Sequence, residues 1–253
     1  MENKTVDVII PAYHPGKEFA TLIKRLEKQS VSIHRIIVMN TEESMWNKEW
    51  EKLSDAIDHG GTRARAAELS DADVMVFMTQ DAMPADRELL AELLKALDQE
   101  ENIAAAYARQ LPNAECSFVE RYTRAFNYPD TSLVKTKADL DKYGIKTFFC
   151  SNVCAAYKKD IYEKQGGFVR RTIFNEDMIY AGGLIQAGYG IVYAAEARVI
   201  HSHNYNCMQQ FHRNFDLGVS QAEHPEIFEG VPSEGEGMRL VKKTLAYLIH
   251  SGR

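Results

Sequence analysis

The chain has 253 residues, 45% of them hydrophobic and 26% charged, with a formal net charge of -6. That length can bury the core of one large α/β domain, or of one domain with a smaller appendage, rather than two unrelated full domains, and the composition is ordinary for a soluble globular protein. The acidic balance argues against a general nucleic-acid binder, so no nucleic-acid partner is expected, although local basic clusters can still hold a phosphate.

Met1-Glu2-Asn3-Lys4-Thr5 leads directly into a strand-like segment, without the charged lead, apolar run and small-residue cleavage site of a secretory signal. No stretch reaches the roughly 20 apolar residues that span a bilayer, so a cytoplasmic location is expected. Val6 to Ile10 reads as a buried strand, ended by a loop from Pro11 to Gly16. Phe19, Leu22, Ile23 and Leu26 fall at i, i+3, i+4 and i+7, which predicts a helix facing a sheet. Arg35 to Met39 is the second strand, ending in Asn40-Thr41. The third, Val74 to Met78, releases the polar triplet Thr79-Gln80-Asp81 before Met83-Pro84 stops it. A helix carrying Leu89, Leu90, Leu93, Leu94 and Leu97 follows, then a fourth strand at Ala104 to Tyr107. This alternation predicts an α/β fold with a mostly parallel central sheet and helices on both faces. Its strand ends, Pro11 to Tyr13, Asn40-Thr41 and Thr79 to Asp81, converge on one rim, where open α/β sheets bind ligands.

From Arg109 to Thr147 there is no sustained period, but Phe118, Tyr122, Phe126, Tyr128 and Tyr143 argue against disorder, and a smaller functional subregion is expected. Phe148-Phe149-Cys150 and Val153 to Tyr157 read as further strands, Gly166-Gly167-Phe168 as a turn, and Gly190 to Tyr193 and Ala197 to Ile200 as late strands. The four cysteines, Cys116, Cys150, Cys154 and Cys207, lack paired metal-site spacing and are expected as free thiols rather than a zinc site. In the tail, Met238, Val241, Leu245 and Leu248 share one helical stripe, with Arg239, Lys242, Lys243 and His250 elsewhere. Docking on the body is the expectation, with an anionic membrane surface as the alternative. The pattern still runs at Ser251-Gly252-Arg253, as expected of a trimmed chain.

Several groups could carry chemistry. Asp81 stands where a carboxylate can serve a metal or phosphate site. Gly60-Gly61 with Arg63 and Arg65 begins a helix in a way that suits phosphate, though a plain turn explains it equally. Glu176 and Asp177 open another helix, either as caps or as a source of a general base. His201 and His203 alternate along an extended chain, so both imidazoles face one side, as metal ligands with a distant Asp or as a structural pair. Arg213, three residues after Gln210, can hold a diphosphate or a surface carboxylate.

Taken in order, these segments resemble family-2 glycosyltransferases of the GT-A fold, most closely their bacterial rhamnosyltransferase branch, from about Val6 to Ser220. Val8 to Tyr13 is similar to the opening strand and nucleotide-base loop, with Pro11, Ala12 and Tyr13 at the donor. Gly60, Gly61, Arg63 and Arg65 are similar to the glycine-containing donor loop, and Thr79-Gln80-Asp81 to the DxD motif. Gly166 to Phe168 with Glu176-Asp177 resembles the G-G-F…E-D segment, and His201 or His203 the carboxyl-terminal metal histidine. Gln210 to Asn214 is similar to Q-x-x-R-W. Thr79 replaces the first DxD carboxylate, Asn40-Thr41 an Asp at the donor, and Asn214 the Trp.

The resemblance implies a GT-A domain over 1–220, with a nucleotide-sugar-binding half at about 1–108, an acceptor-side catalytic half at about 109–220, and a helical tail at 221–253. It implies inverting transfer with Asp177 as base beside Glu176, and Mg2+ or Mn2+ on Asp81 with His201 or His203. Asn40, Thr41, Gln80 and Arg213 join the donor site. The expected donor is dTDP-L-rhamnose and the acceptor a surface polysaccharide or lipid-linked glycan precursor, with peripheral membrane contact through the tail remaining the alternative to its docking on the body. A UDP-hexose donor, or a nucleotide-sugar-binding protein without activity, stays open as an alternative.

Overall fold

A computed structural model describes residues 4–40, 59–231 and 234–250. Thr41, expected at the donor, lies outside them. In chain order the elements are β1 (Val6–Ala12), α1 (Glu18–Leu26), β2 (Arg35–Asn40), α2 (His59–Leu69), β3 (Val74–Met78), β4 (Met83–Pro84), α3 (Leu89–Leu97) and β5 (Ile103–Leu111). They continue as α4 (Phe118–Asn127), β6 (Leu133–Lys135), α5 (Leu140–Tyr143), β7 (Cys154–Lys158), α6 (Lys159–Lys164), α7 (Glu176–Gln186), β8 (Gly190–Ile200), α8 (Cys207–Glu223), α9 (Pro225–Phe228) and α10 (Glu234–His250).

The strands form one sheet in the order β2-β1-β3-β7-β5-β8-β4, with β6 also paired to β8. β1 runs parallel to β2 and β3, while β7 runs antiparallel to both β3 and β5, and β5 runs parallel to β8. Thus β1, β2, β3, β5 and β8 all point one way. Their carboxyl ends share a rim, and the loop entering the reversed β7 lies on it too, since Cys154 pairs with Met78.

Side-chain alternation divides the core in two, because neighbouring residues of a strand face opposite sides of the sheet. Val8 and Ile10 join Val74, Val76 and Met78 under α1 and α3, whereas Ile9 joins Met75 and Phe77 under α2 and α7. Phe19, Leu22 and Leu26 of α1, and Leu89, Leu90, Leu93 and Leu97 of α3, are fully buried there. Each such leucine contributes about 1.5–3 kcal/mol by leaving water. Helices on both faces and the predominantly parallel sheet agree with the expected α/β architecture.

Four local expectations are corrected. Phe148 belongs to a 3-10 turn, Gly144–Phe148, which packs on α7, so the aromatic run there fills a core corner rather than a strand. The stretch from Arg109 to Thr147 holds a regular helix, α4, whose N-cap Ser117 accepts the Glu120 amide at 3.2 Å. Its period is hidden because the stripe Phe118–Tyr122–Phe126 meets aromatic and basic side chains rather than a core: Tyr247 of α10 stacks on Phe118 and Tyr122, and Arg239 and Lys243 lie over Phe126. The tail therefore docks through Tyr247, and the stripe expected to dock is turned outward, with Met238, Val241 and Leu245 all more than half exposed. The two late strands are one, β8, in which a register shift between Ala108 and Arg109 of β5 absorbs the interruption.

Candidate active site

β1 and β3 pair only as far as Ile9 opposite Phe77, and Pro11, which has no N–H to offer, sits where they part. Gln80 bridges the gap. Its side-chain oxygen accepts the Tyr13 N–H at 2.7 Å and its amide donates to the Tyr13 carbonyl at 2.9 Å, so it imitates a strand partner and holds the Pro11-Ala12-Tyr13 loop. Asn40 ends β2 beside Ala12, buried on the same rim.

Beside this loop the rim encloses a cavity of about 220 Å³ lined by Arg63, Thr79, Asp81, Ser151, Asn152, Val153, Phe174, Asn175, Glu176, Asp177, His201, His203 and Arg213. Seven of the residues expected from the sequence meet there, from five separate elements or loops. Pro11, Ala12, Tyr13, Asn40, Gly60, Gly61, Arg65 and Gln80 are not in its lining. Arg65 points to the surface, paired with Glu68 at 3.1 Å.

Asp81 Oδ2 lies 3.5 Å from Nε2 of both His201 and His203, and the two Nε2 atoms are 3.0 Å apart. A cation with bonds of about 2.1 Å sets its ligand atoms about 3 Å apart in an octahedron and about 3.4 Å apart in a tetrahedron. The triangle matches those edges, and an imidazole–carboxylate set suits Mn2+ or Mg2+ completed by oxygen ligands. Burial alone would raise the Asp81 pKa, but the hydrogen bond and charge of His201, with Thr79 and His203, hold it well below the usual carboxylate range. Burial and the neighbouring His201 lower the His203 pKa, which favours the neutral ring that a ligand must present. Among the described residues a second cluster, Asp7, His34 and Asp71, sits at the start of β1, on the opposite rim. Arg35 pairs with both of its carboxylates and already supplies the positive charge.

On the other wall, α7 starts from Asn175, whose backbone is left-handed at φ 66°. Asp177 is partly exposed to the cavity and accepts the N–H of Asn152 at 2.9 Å and of Met178 at 2.8 Å. Burial, with the Glu176 charge added, pushes its pKa up to about 7 despite those donors and Arg63. A carboxyl poised there can accept a proton near neutral pH. Glu176 plays a different part, pairing with Arg63 at 2.7 Å, both side chains being 7% exposed, and accepting the Asn152 amide at 3.1 Å. Gly60 makes that pairing reachable. A Cβ on it would lie 2.4 Å from the Val169 carbonyl, so only glycine lets α2 approach the segment before α7. Arg213 reaches the cavity mouth with its guanidinium over the Phe174 ring at 4.6 Å and the Tyr205 ring at 5.8 Å.

Asn152 and Ser151 went unnoticed in the sequence, because their place follows from β7 running against its neighbours. Their loop is fixed from below by Lys135, a buried amine that donates to the carbonyls of Lys146 and Phe149, its pKa pushed down to about 7 by burial. Phe174 and Asn175 directly precede Glu176-Asp177, and that adjacency was the signal that could have found them.

Residues 56–166 match the sequence profile of Glycosyl transferase family 2. The chain is 39% identical over 258 residues to the O-antigen chain rhamnosyltransferase RfbN of Salmonella typhimurium, covering 96% of this chain and 81% of the relative. To the O-antigen chain rhamnosyltransferase WbaN of Salmonella anatum it is 45% identical over 256 residues, covering 96% and 80%. The chain belongs to glycosyltransferase family 2.

Solved structures agree on the GT-A fold expected of this family. The mannosyltransferase PcManGT from Pyrobaculum calidifontis, solved with GDP-Man and Mn2+, superposes with a TM-score of 0.67 over 99% of this chain and 76% of that one, at 14% identity. S. aureus TarS in complex with UDP-GlcNAc gives 0.62 over 95% and 71%, at 12% identity. No helix among the described residues is long and apolar enough to cross a membrane.

Proposed function

We propose that this glycosyltransferase moves L-rhamnose from dTDP-L-rhamnose onto a hydroxyl of a growing O-antigen-type polysaccharide or its lipid-linked precursor, with inversion at the anomeric carbon. The observation that carries the reading is one cavity lined by both a carboxylate whose pKa is raised by burial and an Asp–His–His triangle, in a chain 39–45% identical to two rhamnosyltransferases. About residues 1–108 form the nucleotide-sugar-binding half, and about 109–220 the acceptor-side catalytic half, which also supplies His201, His203 and Arg213.

Asp81, His201 and His203 would hold a divalent cation. Bound there, Mg2+ or Mn2+ supplies positive charge to the departing diphosphate. Asp177 takes the acceptor hydroxyl proton as that oxygen bonds to the anomeric carbon and the carbon–phosphate oxygen bond breaks. Arg213, held against two rings at the cavity, neutralises part of the diphosphate charge, and Arg63 keeps Glu176 and the start of α7 in place. The Tyr13 loop held by Gln80 covers the nucleotide base.

Incubation with dTDP-L-rhamnose, UDP-glucose and UDP-GlcNAc in separate reactions, each with Mn2+ and a lipid-linked glycan acceptor, tests this. Release of dTDP with an inverted rhamnosyl product by NMR is expected. Turnover of a UDP-sugar alone would replace the donor, and tight donor binding without turnover would make the protein a binder.

The same reading sets the enzyme at the cytoplasmic face of the membrane with α10 as its contact. Exposed Met238, Val241 and Leu245 run beside Arg239, Lys242 and Lys243, and no Asp or Glu falls between Met238 and His250, although the whole chain is at -6. Sedimentation with phosphatidylglycerol vesicles should carry the protein down at low salt, and Val241→Asp with Leu245→Asp should leave it in the supernatant. Equal sedimentation of the double variant would reject α10 as the contact.

A further inference from the structure

His201 and His203 are held from behind by residues outside the cavity lining. Gln110 near the end of β5 is 3% exposed, and its side-chain oxygen accepts a hydrogen bond from His201 Nδ1 at 3.1 Å and another from Arg124 Nη1. Its amide nitrogen donates to Ser151 Oγ at 3.0 Å. Arg124 Nε donates to Glu120 Oε1 at 2.6 Å, and the same carboxylate oxygen accepts the backbone N–H of His203 at 3.3 Å. Glu120 and Arg124, one turn apart on α4, thus link the side chain of one histidine to the main chain of the other.

The chemistry of this network leaves little freedom. An arginine has only donors, so the Gln110 atom facing Arg124 must be the oxygen. The His201 nitrogen facing that oxygen must then carry the proton. Nδ1 is protonated, so whenever the ring is neutral the lone pair sits on Nε2, the atom directed at Asp81 and His203. Without Arg124 the amide could turn over, donate to Nδ1 and shift the proton to Nε2, where it would block a cation.

We propose that Gln110, Arg124 and Glu120 are positioning residues that set the tautomer and orientation of His201, anchor His203, and so tune the cation affinity of the site. The proposal rests on Asp81, His201 and His203 being the cation ligands. It gives α4, in a stretch that reads as irregular from the sequence, a defined part in the active centre.

Two measurements test it on the full chain, with Gln110→Leu and Arg124→Met checked for folding by circular dichroism. In metal-free protein, long-range 1H–15N spectra should show His201 protonated on Nδ1 in the wild type and shifted toward the Nε2-protonated form in both variants. Titration with Mn2+ alone, followed by the EPR signal of the free ion, should show Kd raised about 10–100-fold in both, the usual cost of losing an outer-layer partner. Gln110→Glu, which keeps an acceptor toward both neighbours, should stay within about threefold. His201→Ala separates the two failures. If it abolishes binding while folded Gln110→Leu and Arg124→Met bind Mn2+ and hold the tautomer as the wild type does, the positioning role is overturned and the cation site stands. If the wild type takes up no Mn2+, the cation reading falls, and the tautomer spectra alone decide whether the network orients His201.

Discussion

Asp177→Asn should lower transfer about 10²–10⁴-fold, the usual share of a general base, while donor affinity stays within about threefold. Asparagine keeps the size of the side chain and one acceptor for the Asn152 or Met178 amide, so α7 should still start at the same place. What is lost is the basic oxygen. Single-turnover assays with saturating donor, beside calorimetric donor binding, separate the two effects, and unchanged transfer would sink the assignment. The pH profile gives an independent check. With the folded pKa raised to about 7 from 3.8, the base is empty of its proton only above neutrality, so transfer should climb with pH through about 7, and that limb should vanish in Asp177→Asn. Stability runs the other way. The unfolded chain releases this proton first, so the contribution of Asp177 to stability is full below about pH 4 and is lost as pH rises through about 7.

Asp81→Ala should abolish Mn2+ binding and reduce transfer by a comparable factor, on the order of 10²–10³, because it removes the only carboxylate of the triangle. Unlike Asp177→Asn, it should also weaken the donor, since the cation and the diphosphate bind together. A chain that merely folds around these groups would behave differently: removing Asp81 only takes a carboxylate away from two close imidazoles, and transfer would persist. Mn2+ titration and transfer rates at two Mn2+ concentrations distinguish these outcomes, and rescue of transfer by excess Mn2+ would point to a reduced affinity rather than a lost ligand.

Much of the fold was legible because the relevant signals are local. Phe19, Leu22 and Leu26 repeat with a helical period, and Val74 to Met78 form an unbroken buried run, so α1 and β3 follow from the spacing alone. Phe118–Tyr122–Phe126 has an equally helical spacing, yet it resisted reading because its partners, Tyr247, Arg239 and Lys243, lie more than a hundred residues away and mix charge with aromatic surface. The outward turn of Met238, Val241 and Leu245 was hidden for the same reason. A stripe records which residues share a face, and only the competing contact of Tyr247 decides which face docks.

The active centre divides in the same way. The types and order of Asp81, Glu176-Asp177, and His201 with His203 were determined by the sequence, because chemistry needs particular functional groups and the parallel strands deliver them to one rim. The tertiary structure alone separated their surroundings. Burial beside Arg63 makes Glu176 a structural partner, while cavity exposure and desolvation single out Asp177 as the residue we propose as base. The antiparallel insertion of β7 brings Asn152 to Asp177, and α4 brings Arg124 and Glu120 behind the histidines. The physical reason is range: helical and strand periods are set by neighbours a few residues apart, whereas desolvation, ion pairing and the tautomer of His201 depend on atoms that meet only when distant segments pack.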